Sequence, residues 1–156
     1  MSAALTLGVH YNRALNERPS EKLLPDLRRQ LSNPHTPPAL RMELAGILRN
    51  GGELHRDLLE KLLDPSNPAP LRLVAVESLL GELDHFEAMA ALRDLARLPN
   101  REIALATADV VQRRLNVDLG LAIGQPLPPI HSRQAAEVTR RVMMWAAQHD
   151  VAPVRA

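Results

Sequence analysis

Apolar residues recur every three or four positions along most of this chain, which is the spacing of amphipathic helices. Leu23, Leu27 and Leu31 form the first such stripe, and Pro25 either kinks this helix or stands in its first turn. The pattern predicts further helices over about 38–49, 53–63, 69–82, 85–98, 101–115 and 133–148. In the 85–98 segment, Phe86 and Leu92 are predicted to face inward. The predicted fold class is therefore all-α.

The chain repeats itself at a spacing of 31 residues. Leu54, Leu58 and Leu62 lie 31 positions after the first stripe, and a second set of residues keeps the same register through the next turn and helix. The paired positions are Asn33 and Asp64, Pro34 and Pro65, Pro37 and Pro68, Leu40 and Leu71, Arg41 and Arg72, Leu44 and Ala75, and Leu48 and Leu79. A weaker third copy covers about 85–115 with a shorter turn. Two helices per period predict an array of stacked helical hairpins.

With this unit in view, the chain resembles the HEAT-repeat family. The residues that carry the resemblance are Asp64, Pro65, Arg72, Ala75 and Leu79–Gly81. The resemblance implies a right-handed stack of about three antiparallel hairpins over 20–115. It also implies that Asp64 and Arg72 link neighbouring repeats in a polar ladder. Asn33 stands where the first copy should carry the acid.

The predicted organisation outside the repeats has four parts. Residues 1–19 are an N-terminal segment or cap, with Ser20 as the following helix start. Residues 116–131 form a Pro/Gly-rich, polyproline-like connector that lies on the domain surface. Ser132 caps a C-terminal capping helix within 132–149, where Val138, Val142 and Trp145 make a buried stripe. Residues 150–156 are a tail.

Composition narrows the function classes. Aromatic residues make up only 2% of the chain. Cysteine is absent, which excludes disulfide scaffolds, thiolate metal sites and cysteine nucleophiles. The net charge of +1 supplies no long-range field for nucleic acid or an anionic membrane. The N-terminus has no signal-peptide pattern, and no apolar run approaches the ~20 residues needed to span a bilayer. We expect a cytoplasmic protein with no membrane span.

Charged residues on the second helices of the repeats form the candidate partner-binding face. In the HEAT-repeat family these helices line the concave surface. An arginine stripe there would grip an acidic peptide or a phosphate backbone. The alternative interpretation is that these arginines link neighbouring repeats and compensate the helix dipole. Acidic residues such as Glu43 and Glu77 interrupt the arginine stripe and favour this alternative. The candidate face comprises Arg41, Glu43, Arg49, Glu77, Arg101 and Arg113.

No catalytic signature stands out. The acid–histidine groups at His55 with Asp57 or Glu60, and at Asp84–Glu87, lack metal-site spacing. Asn50–Gly52 is a helix stop, not a phosphate loop. We therefore predict a non-enzymatic protein–protein interaction or scaffold module that needs no cofactor and binds another protein. The alternative is nucleic-acid binding through the arginine-bearing helix face, although stacking aromatics are lacking.

Overall fold

The computed structural model describes residues 22–81 and 85–149, and over these residues the chain is all-α with no strand. The predictions for 1–19, for Ser20, for Asp84 and for the 150–156 tail lie outside the described residues. The predicted fold class is confirmed at this level. The helices within the described residues are α1 Leu24–Ser32, α2 Pro38–Asn50, α3 Arg56–Leu62, α4 Ala69–Leu79, α5 Phe86–Ala96, α6 Arg101–Leu115 and α7 Arg133–His149.

The chain divides into two compact units, Met1–Ala75 and Val76–Ala156. Within the first unit, α1 packs against α2 and against α3. Within the second unit, α5, α6 and α7 all pack against one another. The predicted C-terminal helix therefore lies against both of the helices that precede it.

Helix α1 begins at Leu24, and Pro25 stands in its first turn. A proline is tolerated there because the first amides of a helix have no partner inside it. Asp26 lies in the same turn, where an acid suits the positive end of the helix dipole. Of the two alternatives for Pro25, the structure therefore shows the first-turn position.

The turn before α2 and the turn before α4 make the same hydrogen bonds. The Oδ1 atom of Asn33 accepts from the amide of His35 at 2.9 Å, and that of Asp64 accepts from the amide of Ser66 at 2.8 Å. The carbonyls of Asn33 and Asp64 accept the amides of Thr36 and of Asn67. An amide side chain thus performs the same turn chemistry as the acid it replaces.

The buried positions also recur at the 31-residue spacing. Leu27 and Leu31 of α1 correspond to Leu58 and Leu62 of α3, and all four are buried. The same holds for α2 and α4, where the buried pairs are Leu40 and Leu71, Leu44 and Ala75, and Leu48 and Leu79. Burial of this kind contributes roughly 1.5–3 kcal/mol for each large aliphatic side chain. The sequence repeat is therefore also a repeat of local structure.

The prediction that Phe86 faces inward is wrong, because its side chain is 71% exposed. His85 caps α5 by accepting the amide of Ala88 on Nδ1 at 3.1 Å, so Phe86 is the first residue of the helix. The buried face begins with Ala88 and continues through Leu92 and Leu95. Phe86 lies off this face.

The chain leaves α6 and enters α7 at two well-defined caps. Asn116 adopts the left-handed conformation with φ 58° and ends α6. The Oγ atom of Ser132 accepts the amide of Ala135 at 3.1 Å, which confirms the predicted cap of α7. The predicted stripe of Val138, Val142 and Trp145 is buried. The 116–131 connector lies between these caps.

Candidate functional site

Arg41 of the candidate face lies in the interior, since the residue is only 2% exposed. Its Nε donates to the carbonyl of Leu31 at 2.8 Å, and its Nη2 donates to Oδ1 of Asn67 at 2.8 Å. Burial lowers the pKa of the guanidinium, because a charged group loses hydration there. Arg41 therefore joins the end of α1 to the turn before α4 and does not lie on an exposed helix face.

Asp64 and Arg72, the residues of the expected ladder, both act within the turn before α4. Hydrogen bonds from the hydroxyl and amide of Ser66 hold the pKa of Asp64 below its ordinary value, and the charge of Arg72 adds to this. Arg72 donates from Nε to the carbonyl of Asn67 at 3.2 Å. Arg41 with Asn67 makes a polar connection between the first and second copies, and Arg28 with His55 makes another.

Asn67 is a positioning residue that the pattern of apolar and proline residues did not reveal. Its Nδ2 donates to the carbonyls of Lys61 and Leu62, both at 3.2 Å, while its Oδ1 accepts from Arg41. The side chain thereby satisfies two carbonyls at the end of α3. The equivalent residue in the first copy is Thr36, whose side chain carries no amide group, so the 31-residue repeat does not single out Asn67.

Glu77 and Arg113 of the candidate face bind each other. Arg113 Nη1 lies 2.7 Å from Glu77 Oε2, and Arg114 Nη2 lies 3.5 Å from the same atom. Arg113 Nε also lies 3.0 Å from Oδ2 of Asp109. The hydrogen bond that Arg113 donates to Glu77 is the main reason why the pKa of Arg113 is raised. Much of the arginine charge on this part of the face is neutralised within the molecule.

The remaining candidate residues are dispersed. Arg49 is exposed in the last turn of α2, where a cation suits the helix dipole, and Glu43 is half-buried one turn and a half earlier. Arg101 is exposed at the start of α6 and donates from Nη1 to the carbonyl of Ile130 at 2.8 Å. Of the six predicted residues, Glu77 and Arg113 are in direct contact.

A basic depression of about 440 Å³ lies in the first unit beside α1 and α3. Arg28 and His55 line it, with Arg28 Nη2 donating to His55 Nε2 at 2.8 Å. Glu53 lies 3.5 Å from Arg28, and Asp26 pairs with the neighbouring Arg29. These acids offset the arginines, so the depression is not a strong anion site.

The start of the connector is attached to α6 by the side chain of Gln112. Gln112 Oε1 accepts from the amides of Leu119 and Leu121 at 3.0 and 3.1 Å, and its Nε2 donates to the carbonyl of Leu121 at 2.6 Å. Leu119 is buried between these contacts. Gly120 has φ +94°, a conformation that glycine adopts without strain. This start of the connector therefore has a defined path.

Two open depressions lie along the connector, and Val117 and Asp118 line both of them. The first has a volume of about 370 Å³ and is lined also by Gln112, Leu121 and Ile123. The second has a volume of about 310 Å³ and lies against α7. Its further lining residues include Leu119, Arg140, Arg141, Met144 and Trp145. We call the two depressions together the connector surface.

Exposed apolar side chains concentrate on the connector and α7. Ile123 is 79% exposed, and Met144 on the other side of the connector surface is 48% exposed. Among the described residues, the large apolar side chains left exposed are Phe86, Ile123, Leu127, Ile130, Met143 and Met144. Of the apolar residues in the connector, Leu119 is buried against the rest of the unit, whereas Ile123 is exposed.

Within the described ranges, no group of three or more His, Asp or Glu side chains is placed to hold a metal ion. None of the helices in these ranges is long and apolar enough to cross a membrane.

No family model, curated protein or solved structure matches the chain. Its own residues are therefore the basis for the function proposed next.

Proposed function

We propose that this chain is a non-enzymatic module of HEAT-repeat type that binds another protein. The repeat assignment is supported by the equal turns before α2 and α4, by their shared buried positions, and by the Arg41–Asn67 connection between copies. A repeat unit that stacks on its neighbours leaves side chains on its outer faces free to meet a partner.

The connector surface is the single observation that carries the binding proposal. Ile123 and Met144 remain exposed although nearby Leu119 and Trp145 are buried. Solvent-exposed apolar groups that border a depression are typical of surfaces that bind proteins. The binding face is therefore proposed at the connector surface, and not along the charged residues of the second helices.

Nucleic-acid binding finds less support in the positions of the arginines. Arg41 is buried, and Arg113 and Arg114 both bind Glu77. Affinity for a phosphate backbone depends on cations that are free to displace counterions. An electrophoretic shift assay at two salt concentrations tests this alternative, and salt-sensitive binding would favour it over a protein partner.

Affinity capture from the cell that makes the protein tests the proposal directly. Three baits are compared: the wild-type chain, the double variant Ile123→Glu/Met144→Glu, and Arg49→Glu on α2. Arg49→Glu is the control because it changes the net charge by the same amount as the double variant does. We expect at least one protein to be captured by the wild type and by the Arg49→Glu control but not by the double variant. Equal capture by all three baits, or capture by none with the helical signal intact, would refute the proposal.

A further inference from the structure

Residues 125–129 of the connector have a backbone conformation that covalent geometry nearly dictates. Pro126, Pro128 and Pro129 each have φ set by the proline ring. Gln125 and Leu127 each precede a proline, as does Pro128 itself, and a residue in that position is held to extended ψ values. The peptide bonds here are trans. Consecutive residues under both restrictions favour a polyproline II helix.

The two prolines that lie three residues apart in this segment are both exposed. A polyproline II helix has three residues per turn and rises 3.1 Å per residue, so Pro126 and Pro129 lie on one ridge about 9 Å apart. Pro126 and Pro129 are exposed and Leu127 is 44% exposed, whereas Pro128 between them is half-buried. Pro128 is thus the most covered residue of the segment, and Pro126 and Pro129 are open to solvent.

The end of the segment is attached to the rest of the second unit, and its start lies in a local turn of the connector. Beyond it, the carbonyl of Pro129 accepts from the Oγ of Ser132 at 2.7 Å and from its amide at 2.9 Å, and the carbonyl of Ile130 accepts from Arg101. Before it, the amide of Gln125 donates to the carbonyl of Ala122 at 3.2 Å. A ligand segment that is already ordered loses little conformational entropy on binding.

We infer that residues 125–129 are a ligand for a protein domain with an aromatic-lined groove that recognises polyproline II segments, of the kind found in SH3, WW and EVH1 domains. The spacing Pro126–x–x–Pro129 is the one such grooves accept. This inference rests on the proposed protein-binding function and names the partner's chemistry.

The residues that follow the proline ridge indicate the charge of the partner. His131 and Arg133 are exposed directly after it. Arg133 is the first residue of α7, whose first turn carries no acid. A cation there lies at the positive end of the helix dipole, which costs some helix stability. A groove bordered by acidic side chains would compensate this charge and fix the direction of binding.

Calorimetric titration of the full chain with a panel of purified SH3, WW and EVH1 domains tests the inference. We expect at least one domain to bind, with an affinity at least about tenfold lower for Pro126→Ala/Pro129→Ala, because both anchors are removed. Pro65→Ala, in the exposed turn before α4, is the matched control and should bind as the wild type does. Arg133→Glu should weaken binding more at low salt than at high salt.

Two results would overturn the inference: no domain of the panel binds, or the double proline variant binds as well as the wild type. The helical signal of each variant is checked by circular dichroism. If the panel fails while capture is still lost in Ile123→Glu/Met144→Glu, the protein-binding function stands without this site. If capture also fails, the proposed function itself falls.

Discussion

The buried guanidinium of Arg41 gives the most quantitative test of how successive copies are joined. Replacing Arg41 with Met keeps an apolar stem of similar length and removes the donors that reach Leu31 and Asn67. Two acceptors then lose their partner, and an unsatisfied buried acceptor costs about 1–3 kcal/mol. The variant no longer buries a charge, and the desolvation cost that is avoided offsets part of the cost of the unsatisfied acceptors. We expect a net loss of about 2–4 kcal/mol in the free energy of unfolding.

Urea unfolding followed by circular dichroism at 222 nm measures this loss, and Arg72→Met is the matched control. Arg72 is the equivalent residue one copy later, is half-buried, and donates over a longer distance of 3.2 Å. Its replacement should cost about 1 kcal/mol, as for an ordinary hydrogen bond. A double-mutant cycle with Asn67→Ala should show coupling to Arg41 of about 0.5–3 kcal/mol. Equal effects of the two arginine variants, or no coupling, would refute the reasoning.

Thr107→Val should stabilise the second unit by about 0.5–1 kcal/mol, because the fully buried Oγ1 of Thr107 has no hydrogen-bond partner; a lower midpoint in urea would contradict this. Gly120→Ala should destabilise by about 1–2 kcal/mol, because φ is +94° and the new Cβ would lie 3.1 Å from Nη1 of Arg141; Gly46→Ala in α2, where the Cβ meets nothing, is the control and should be neutral or stabilising. Hydrogen bonds from Arg140 and Arg141 lower the pKa of Glu137 to about 2, so its contribution to α7 is complete above the ordinary value of 4.5 and is lost as the pH falls towards 2. An acid titration by circular dichroism should show this difference between the wild type and Glu137→Gln, and identical curves would contradict it.

The helices could be predicted closely because their signals are local. The predicted segment 101–115 matches α6, and Ser132 caps α7 as expected. Apolar spacing, prolines in turns and a capping hydroxyl are each read within a few residues of the chain. Phe86 was misplaced because the helix period alone does not say where a helix begins, and the His85 cap decides that.

The candidate site could not be predicted to the same extent, because its contacts join distant residues. Buried Arg41 donates to Asn67, which lies 26 positions away along the chain, and Arg113 donates to Glu77, which lies 36 positions away. Nothing local distinguishes these side chains from solvated charges on a helix face. The Gln112 attachment of the connector has the same character, since a single glutamine on a helix carries no motif. The exposure of Ile123 likewise could not be predicted from a pattern in its own segment.

Hydrogen–deuterium exchange of the full chain, alone and with a captured partner, tests most directly that the protein binds through the connector. We expect slower exchange in the partner's presence over the connector, 116–131, and over the residues of α7 that border the connector surface. Exchange in α2 should be unchanged, because Arg41 is buried and the second-helix face is not the proposed site. Protection confined to α2 and α4, with none in the connector, would contradict the account.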